Sequence, residues 1–462
     1  MHIAVFGLGY VGLVTSACLA EWGHDVTGFD ANVDRRRALD ENRMPFHEPG
    51  LAEMVAANRD LERLRFATFQ RDRIVEVVGE SDAVVVAVGT HDGNGGWQTT
   101  TILNCLQDVV PALPVSTVLI IRSTLPPEFV KRLPSVLSEL RGHLPPITAI
   151  LNPEFTREGT ALNDFLRPER VVVGIVADPA GIGEACAHEM YRDTDAPILT
   201  MPAIDASFAK LGSNLFLATK ISFANELARL CGMYGADIEG VVAAMAYDSR
   251  IGGSFLRAGV GFGGSCLPHQ VTMTTEAAAR HGVDVPLISA VDVVNHRQRE
   301  TFVELIASSV TDGLAGKRVA ILGLSFKPHT DDLRDAPAIT ITRRLLEMGA
   351  QPVAYDPMPA ARDRAAQLVS GLEVVASVAE SLDGADAVGL VTEWPEFSQI
   401  DWQDARSRMR GNVVVDGRNA LHAAMIVGAG FRYLAFGRRI DQAGDTVKAI
   451  ALREIPTSGV HV

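Results

Sequence analysis

The chain has 462 residues, 47% of them hydrophobic, and carries a formal net charge of −14. This length exceeds what one hydrophobic core can organise, so we expect two or three domains. The acidic balance argues against a nucleic-acid or anionic-membrane partner, because both are bound by basic surfaces.

The cysteines and the apolar segments narrow the class of protein further. The five cysteines are scattered without a CxxC spacing, so neither a disulfide framework nor a metal site is expected. No run of about eighteen apolar residues occurs, and the chain starts with a strand pattern rather than a signal peptide. These features predict a cytoplasmic α/β protein that is not inserted in a membrane.

A glycine fingerprint follows the first predicted strand, which covers residues 2–6. Residues 7–12 read GLGYVG, and an amphipathic pattern continues from there. In the order strand, turn, helix, this motif predicts a dinucleotide site. Gly7 makes the turn, Gly9 admits the pyrophosphate and Gly12 packs the helix on the strand. The phosphates would lie at the N-terminus of the helix.

A second predicted strand, residues 25–30, ends in an acid where a ribose-binding carboxylate belongs. Asp30 would favour NAD over NADP by repelling a 2′-phosphate. Arg35 begins a run of three arginines that could clamp a phosphate, although a solvated helix face is the favoured interpretation. The predicted cofactor is NAD, and the predicted cofactor-binding residues are Gly7, Gly9, Tyr10, Val11, Gly12, Asp30, Arg35, Thr90 and Thr124.

Further strands alternate with helical patterns, which is typical of a parallel, doubly wound sheet. They are predicted at 83–88, 118–121, 147–151, 318–322, 351–355, 387–391 and 412–415. The series that begins at residue 318 lacks a glycine fingerprint and suggests a domain for a different nucleotide. Strand ends in such sheets carry function. Taken singly, however, the polar ends at 89–90, 123–124 and 152–154 are better explained as turns or caps.

A long helix is predicted over residues 205–231. Lys210 and Asn214 share one face of it because they are four positions apart. A lysine in this setting is usually a solvated surface residue. A helix of about 40 Å is also suited to join two domains or to pair with its twin across a dimer.

The stretch 261–266 reads GFGGSC and supplies a candidate nucleophile. Glycines allow backbone to approach a ligand closely, and a thiol attacks carbonyls once it is partly thiolate. For an isolated GGSC, a loop whose cysteine is simply buried would be the better explanation. The sequence around Cys266 changes that balance.

Motifs in a fixed order cover nearly the whole chain. They are FGLGYVGL (6–13), EPGL (48–51), RST (122–124), NPEFTREGTA (152–161), SRIGGSFLRAGVGFGGSCLP (249–268), GLSFKPHTDDLRDAP (323–337), TEWPEF (392–397) and DGRN (416–419). With Lys210 and Asn214, they resemble the UDP-glucose/GDP-mannose dehydrogenase family of nucleotide-sugar 6-dehydrogenases. The last two motifs are closer to the branch that acts on UDP-glucose than to the other branches.

The resemblance implies a four-electron oxidation of a sugar C6 alcohol to a carboxylate with two NAD in turn, from UDP-glucose to UDP-glucuronate. Cys266 would attack the intermediate aldehyde to give a thiohemiacetal, which is oxidised to a thioester that water cleaves. Lys210 and Asn214 would stabilise charge that develops at C6.

Further roles are implied for residues near the hydrolytic water. Thr124 would orient this water, and Glu154, with Glu158 close by, would act as base. The implied substrate-binding residues are Glu154, Phe155, Lys210, Asn214, Arg250, Phe255, Gly263, Lys327 and Arg418. Among them, Arg250 would reach the substrate from a neighbouring subunit, and the Lys and Arg side chains would supply the positive charge that the chain as a whole lacks.

Pattern and resemblance together predict an α/β protein with two Rossmann-like doubly wound domains joined by a long central helix. The predicted bounds are 1–200 for an NAD-binding domain, 201–312 for a central helical linker and dimerisation domain, 313–440 for a UDP-sugar-binding domain and 441–462 for a tail. The implied partners are a nucleotide sugar and a further copy of the chain, in a homodimer or higher homo-oligomer.

The sequence departs from the family pattern at four positions. His269 and Gln270 stand where the family has Lys-Asp, so an expected carboxylate is missing, and Gln270 could preserve a hydrogen bond but not the charge. His91 replaces a proline, and Ser207 stands where a Glu is common. Two alternatives therefore stay open: a dehydrogenase of another nucleotide sugar, and a catalytically impaired paralogue that binds NAD and nucleotide sugar. Retention of Cys266 counts against impairment.

Overall fold

The computed structural model describes residues 1–90 and 96–439. The chain divides into two compact units, the first ending at Ser213 and the second beginning at Asn214. The predicted tail at 441–462 and His91 lie outside the described residues. The four domain bounds stay predictions.

The first unit is an eight-stranded sheet with helices between the strands. Its elements are β1 (His2–Phe6), α1 (Tyr10–Glu21), β2 (Asp25–Phe29), α2 (Val33–Asp40), α3 (Leu51–Asp60), β3 (Leu64–Ala67), α4 (Arg71–Glu80), β4 (Ala83–Val86), α5 (Thr100–Val109), β5 (Val118–Ile121), α6 (Pro127–Arg141), β6 (Thr148–Leu151), α7 (Ala161–Leu166), β7 (Val171–Ala177), α8 (Gly183–Met190) and β8 (Ile198–Pro202). The strand order is β3-β2-β1-β4-β5-β6-β7-β8.

The central strands of this sheet are short and apolar because both of their faces are buried. All residues of β4, β5 and β6 are buried, and two apolar clusters use their alternating side chains. The predicted strands of this sheet pair in parallel, as expected. Strand β7, which was not predicted, runs antiparallel to β6, so the sheet is parallel from β3 to β6 and again between β7 and β8. Mixed sheets of this kind are common among large doubly wound folds.

The second unit begins within a long helix and ends in a six-stranded sheet. Its elements are α9 (Ala203–Tyr234), α10 (Ile238–Ala246), α11 (Leu267–Arg280), α12 (Pro286–Ser309), β9 (Arg318–Leu322), α13 (Pro337–Glu347), β10 (Gln351–Tyr355), α14 (Pro359–Leu368), β11 (Glu373–Val374), α15 (Val378–Leu382), β12 (Ala387–Leu390), α16 (Trp402–Arg408), β13 (Val413–Asp416), α17 (Ala423–Gly428) and β14 (Arg432–Ala435). The strand order is β11-β10-β9-β12-β13-β14, and each of these pairs is parallel.

Helix α9 confirms the predicted long helix and extends it at both ends. Its 32 residues give a length of about 48 Å at 1.5 Å per residue. The helix leaves large apolar side chains exposed, at Phe208, Phe216, Phe223, Leu230 and Met233. A homodimer that uses this helix stays a prediction. Within the described residues, no helix has both the length and the apolar composition that would let it cross a bilayer.

Candidate active site

The glycine turn between β1 and α1 has the geometry of a dinucleotide site. Gly7 has a φ of +92° and lies so close to Ala87 that a Cβ would be 2.7 Å from its carbonyl oxygen. A Cβ on Gly12 would overlap the carbonyl oxygen of Gly7. A Cβ on Gly9, by contrast, would have no neighbouring atom of the described residues within 4 Å. Gly9 is the N-cap of α1. The backbone N–H groups that begin α1 are therefore open to an anion such as a pyrophosphate.

Asp30 lies at the end of β2 and is 6% exposed. Its carboxylate accepts hydrogen bonds from the backbone N–H of Leu8 at 2.8 Å and of Asn32 at 2.7 Å. Arg35 donates to the same carboxylate at 2.9 Å. The next two arginines form ion pairs on the surface of α2, Arg36 with Asp40 and Arg37 with Asp34. The acid is thus fixed beside the glycine turn, as a ribose-binding carboxylate requires.

Glu48 is a residue to which the sequence analysis gave no role, although the EPGL motif contains it. It is 5% exposed and accepts hydrogen bonds from the Tyr10 hydroxyl, from the N–H of Gly159 at 2.6 Å and from the N–H of Ala161 at 2.7 Å. Burial, and then the hydrogen bond to Glu48, raise the pKa of Tyr10. One carboxylate therefore ties the predicted cofactor turn to the NPEFTREGTA loop. Val11, the remaining turn residue, is half-buried.

The polar strand ends at β4 and β5 contact each other. The Thr90 hydroxyl donates to the carbonyl oxygen of Thr124 at 2.6 Å, and the Ser123 hydroxyl donates to that of Val88 at 2.7 Å. Thr90 is buried and Thr124 is half-buried. These residues do more than cap their own turns, because they join two neighbouring loops at the carboxyl edge of the sheet.

The third strand end is joined to the second by buried polar contacts. Arg122 donates to the Asn152 side chain at 2.6 Å and to the Tyr191 hydroxyl at 2.8 Å. The Arg122 guanidinium also lies 5.0 Å from the ring centre of Phe165. The RST motif thus supplies a structural arginine, which holds the start of the loop that carries Glu154.

Glu154 and Lys210 form a buried ion pair. The Lys210 ammonium lies 3.1 Å from one carboxylate oxygen of Glu154, and the two side chains are 6% and 8% exposed, respectively. Thr156 donates to the other oxygen through its N–H at 2.8 Å and its hydroxyl at 2.5 Å. Burial acts to raise the pKa of Glu154, but the charge of Lys210, the hydrogen bonds from Thr156 and the charge of Arg122 outweigh it and lower this pKa. Glu154 is therefore an ionised carboxylate.

The other predicted residues on this loop and on helix α9 differ in burial. The ring of Phe155 has the Arg170 guanidinium 4.0 Å and the Lys210 ammonium 5.3 Å from its centre. Glu158 is half-buried. Asn214 lies one turn after Lys210 on α9 and is 9% exposed. Helix α9 thus buries the side chains of Lys210 and Asn214 on the predicted face. Lys210 is therefore not the solvated surface residue that a lysine in this setting usually is.

Cys266 is exposed, whereas the other cysteines are buried or half-buried. Burial raises the pKa of Cys105 and of Cys186 to about 12, so these thiols are poor nucleophiles. Cys266 is the N-cap of α11. The N-terminus of a helix stabilises negative charge, which is the setting that a thiolate nucleophile needs. The sequence alternative of a simply buried cysteine is wrong.

The glycines before Cys266 are surrounded by protein atoms. A Cβ on Gly261 would overlap the side chain of Asn295, and one on Gly264 would lie 2.8 Å from the ring of Phe326. A Cβ on Gly263 would lie 2.5 Å from the carbonyl oxygen of Asp335. We expected these glycines to let a ligand approach the backbone closely. In the structure they instead let the backbone pack closely against other protein atoms.

Helices α9 and α12 hold this glycine turn with side-chain amides. Asn225 accepts from the N–H of Gly259 at 2.8 Å, and Gln298 donates to the Gly259 carbonyl at 2.9 Å. Asn295 both accepts from and donates to the backbone of Phe262, at 2.8 and 3.1 Å. These residues could not be identified from the sequence, because a polar residue in a helix gives no sign of whether it faces solvent or a buried loop.

Arg418 contacts three loops of the second unit. It donates to the carbonyl oxygens of Val391 at 2.6 Å, Gly261 at 3.0 Å and Phe326 at 3.3 Å, and its side chain lies 3.2 Å from Glu393. Each terminal nitrogen of its guanidinium has two N–H groups and, among the described residues, uses one in these bonds, which leaves a second N–H on each.

The GLSFKP loop, which contains Lys327, is anchored by a buried acid. Asp356 is 0% exposed and accepts from the N–H groups of Leu324 at 2.7 Å and Ser325 at 2.9 Å. Lys327 itself is half-buried, with its ammonium 5.5 Å from the ring centre of Phe326. The loop thus presents a positive charge from a fixed backbone.

Two predicted substrate residues lie in the segment between α10 and α11. Arg250 is highly exposed and donates from two of its nitrogens to Asp248, at 3.0 and 2.6 Å. Phe255 is half-buried and has a φ of +64°. A left-handed conformation is costly for a bulky residue and is found where the surroundings impose it.

The positions that depart from the family pattern have distinct surroundings. Gln270 is 3% exposed, its N–H donates to the carbonyl of Cys266, and its side-chain oxygen has no hydrogen-bond partner among the described residues. His269 is half-buried and Ser207 is buried. The missing carboxylate is therefore replaced by a buried amide with an unused acceptor, one helical turn after Cys266.

Comparison with known proteins gives matches in both units. Models of the UDP-glucose/GDP-mannose dehydrogenase family match residues 1–195 (NAD binding domain), 205–297 (central domain) and 320–423 (UDP binding domain). The UDP-glucose 6-dehydrogenase of Rhizobium meliloti is 34% identical over 95% of this chain and 100% of its own. That of Pseudomonas aeruginosa is 36% identical over 95% and 98%.

Solved structures are similar as well. A UDP-glucose dehydrogenase from Pyrobaculum islandicum has a TM-score of 0.85 at 33% identity and covers 94% of this chain and 97% of its own. A UDP-D-ManNAc dehydrogenase from Pyrococcus horikoshii, at 24% identity and a TM-score of 0.81, covers 95% and 100% and shares the fold.

Proposed function

Because the chain belongs to the UDP-glucose/GDP-mannose dehydrogenase family of NAD-dependent oxidoreductases, we propose that it oxidises UDP-glucose at C6 to UDP-glucuronate. The relatives at 34–36% identity are named for UDP-glucose, and this supports the choice of sugar. The family and the NAD cofactor that the sequence predicted are confirmed.

The observation that carries the proposal is the position of Cys266. An exposed thiol at the start of a helix, behind a glycine turn packed on all sides, is what covalent capture of an aldehyde needs. A single oxidation that ends at the aldehyde does not require a nucleophile to hold the product.

The first unit would hold the cofactor. Bound NAD would supply the hydride acceptor for two oxidations at the sugar C6, so that one sugar alcohol, one water and two NAD would give a carboxylate, two NADH and three protons. The N–H groups at the start of α1 would bind its pyrophosphate, and Asp30 its ribose. Gly9 leaves the space that the pyrophosphate needs.

Cys266 would perform the covalent steps. Its thiolate adds to the aldehyde carbon, a C–S bond forms, and the carbonyl oxygen takes a proton to give a thiohemiacetal. After the second oxidation this carbon is a thioester. Water then cleaves the C–S bond, the carboxylate leaves and the thiol is regenerated.

Lys210 and Glu154 would act as one unit. The Lys210 ammonium offers positive charge to an oxyanion, and the ionised Glu154 holds that ammonium in place. Because its pKa is lowered, Glu154 is a weak base while Lys210 stays charged. Glu154 would thus become a stronger base only when its ion pair with Lys210 is loosened. Asn214 would donate to the same oxyanion, and Thr124 would orient water.

The second unit would bind the nucleotide sugar. Lys327 and the two N–H groups that remain on Arg418 suit the phosphate oxygens. Gln270 would use its unpaired oxygen to accept a hydrogen bond from water or a sugar hydroxyl, in place of the carboxylate that the family has there. Because Cys266 is retained and exposed, we favour turnover with an altered hydrolytic step over loss of the reaction.

Stoichiometry tests the proposal directly. Purified protein would be given UDP-glucose with excess NAD, and NADH and products would be counted by absorbance and mass spectrometry. Two NADH per sugar with UDP-glucuronate as product is the expected result.

Parallel assays would separate the alternatives. Turnover of another nucleotide sugar with none of UDP-glucose would replace the proposed substrate. Binding of NAD and UDP-glucose without any NADH would favour the impaired paralogue, and a sugar adduct on Cys266 with fewer than two NADH would identify hydrolysis as the slow step.

A further inference from the structure

We propose that Arg299 and Asp335, which have no role in the account above, are positioning residues that fix the backbone in front of Cys266. The inference rests on the proposed function of Cys266 as nucleophile. It concerns contacts within the second unit.

Arg299 is among the largest fully buried side chains, at 2% exposed. Its two terminal nitrogens donate to both carboxylate oxygens of Asp335, at 2.9 and 3.0 Å. The same guanidinium donates to the carbonyl of Phe262 at 3.0 Å and to that of Asp335 at 3.2 Å. One charged group on α12 thus holds the start of the glycine turn and the segment that lies against it.

Asp335 forms the surface against which the turn is packed. Its carbonyl oxygen lies only 2.5 Å from where a Cβ on Gly263 would be, and the N–H of Gly264 donates to the neighbouring carbonyl of Arg334 at 2.9 Å. The backbone of residues 334–335 therefore sets the path of the chain two residues before Cys266.

Asp335 also has a φ of +46°, which is unfavourable for a residue other than glycine. Such conformations persist only when the surroundings over-determine them. A bidentate ion pair to a buried arginine supplies that constraint, because it fixes the side chain and the carbonyl of the same residue. Removing the pair should release Asp335 and, with it, the turn.

The variants are chosen to separate positioning from folding. Asp335→Asn keeps the size of the side chain and tolerates the left-handed conformation, but it removes the charge. Arg299→Lys keeps the charge and loses the bidentate fork. The matched control is Arg297→Lys on the same helix, since Arg297 pairs with Glu304 and both are about half exposed.

Two measurements are made well below the unfolding midpoint of each variant. In the first, kcat with UDP-glucose should fall about 100-fold for Asp335→Asn and Arg299→Lys, the loss expected from misplacing a reacting group by about 1 Å. The Kd for NAD should stay within about twofold, because the cofactor turn is in the first unit. The control should retain the kcat of the wild type.

The second measurement needs no turnover and so does not depend on the proposed substrate. The rate at which iodoacetamide labels Cys266, read by peptide mass spectrometry, should change by more than about threefold in both variants, because thiol reactivity follows local charge and access. A lowered midpoint with unchanged kcat and labelling would show a purely structural pair and overturn the inference. If the wild type does not oxidise UDP-glucose, the labelling arm alone decides.

Discussion

The two glycine turns of this protein, at residues 7–12 and 261–264, use their glycines in opposite ways. In the turn at residues 7–12, Gly9 leaves open space at the start of a helix. In the turn at 261–264, Gly261, Gly263 and Gly264 all face protein atoms. The first turn is built to admit a ligand, and the second is built to hold the residue that follows it.

A glycine-rich motif can therefore serve two different structural purposes. A missing Cβ makes room, and either a ligand or another part of the chain can occupy that room. The difference predicts that substitutions in the two turns will have different effects on stability and on binding.

Of the substitutions in the two turns, Gly263→Ala should have the larger effect. Gly263 has no positive φ, so the substitution tests close packing rather than backbone strain: a Cβ would lie 2.5 Å from the Asp335 carbonyl oxygen, 3.0 Å from Pro337 and 3.1 Å from Phe326. Overpacking should lower the free energy of unfolding by about 1–3 kcal/mol, and displacement of Cys266 should lower kcat about 100-fold. Urea unfolding and steady-state kinetics measure the two effects. Gly240→Ala, at a helical glycine with open space, is the control and should keep both values.

Gly9→Ala should weaken cofactor binding without harming the fold. Gly9 has a φ of −68°, which any residue adopts, so stability should change by about 0.5 kcal/mol or less. A methyl group in the pyrophosphate space should raise the Kd for NAD about 10- to 100-fold, the equivalent of one or two hydrogen bonds to a charged group. Titration of NADH fluorescence measures this. An unchanged Kd would contradict the assignment of this turn as ligand-facing.

Lys210→Met should reverse the pH dependence that Glu154 contributes. In the wild type the pKa of Glu154 is lowered from its ordinary value of 4.5. Glu154 therefore stabilises the fold at pH values above 4.5, and this contribution is lost as the pH falls below 4.5. Without Lys210, burial raises the pKa, so stability should fall by about 3–5 kcal/mol at pH 7 and should recover as the medium is made acidic.

Urea unfolding between pH 4 and pH 8 would show this reversal. Arg192→Met, which breaks an exposed ion pair with Glu189, is the control and should leave the profile unchanged. Parallel profiles for Lys210→Met and the wild type would show that the two buried charges are not coupled.

Much of the fold could be predicted because local pattern determines it. Buried strands of a doubly wound sheet are continuous apolar runs, and the long helix α9 is marked by its periodicity. Strand β8 ends in Pro202 and is largely exposed, and β11 has two residues, so neither gives a clear signal. The antiparallel direction of β7 depends on tertiary packing, which local sequence does not encode.

The site could be predicted only as far as motifs reach. Cys266, Lys210 and Asp30 lie in recognisable patterns. Glu48 and Arg299 are ordinary charged residues in sequence, and their importance comes from being buried against backbone groups far along the chain. The roles of the site residues, the homodimer and the cytoplasmic location stay predictions.

The most direct test of the account is the number of NADH formed per UDP-glucose by Cys266→Ala, measured beside the wild type. Cys266 is exposed, so its removal should leave the unfolding midpoint nearly unchanged. Two NADH per sugar are expected for the wild type. The variant should form UDP-glucuronate more than about a thousandfold more slowly than the wild type, if at all. Two NADH per sugar at an undiminished rate in Cys266→Ala would contradict the covalent route.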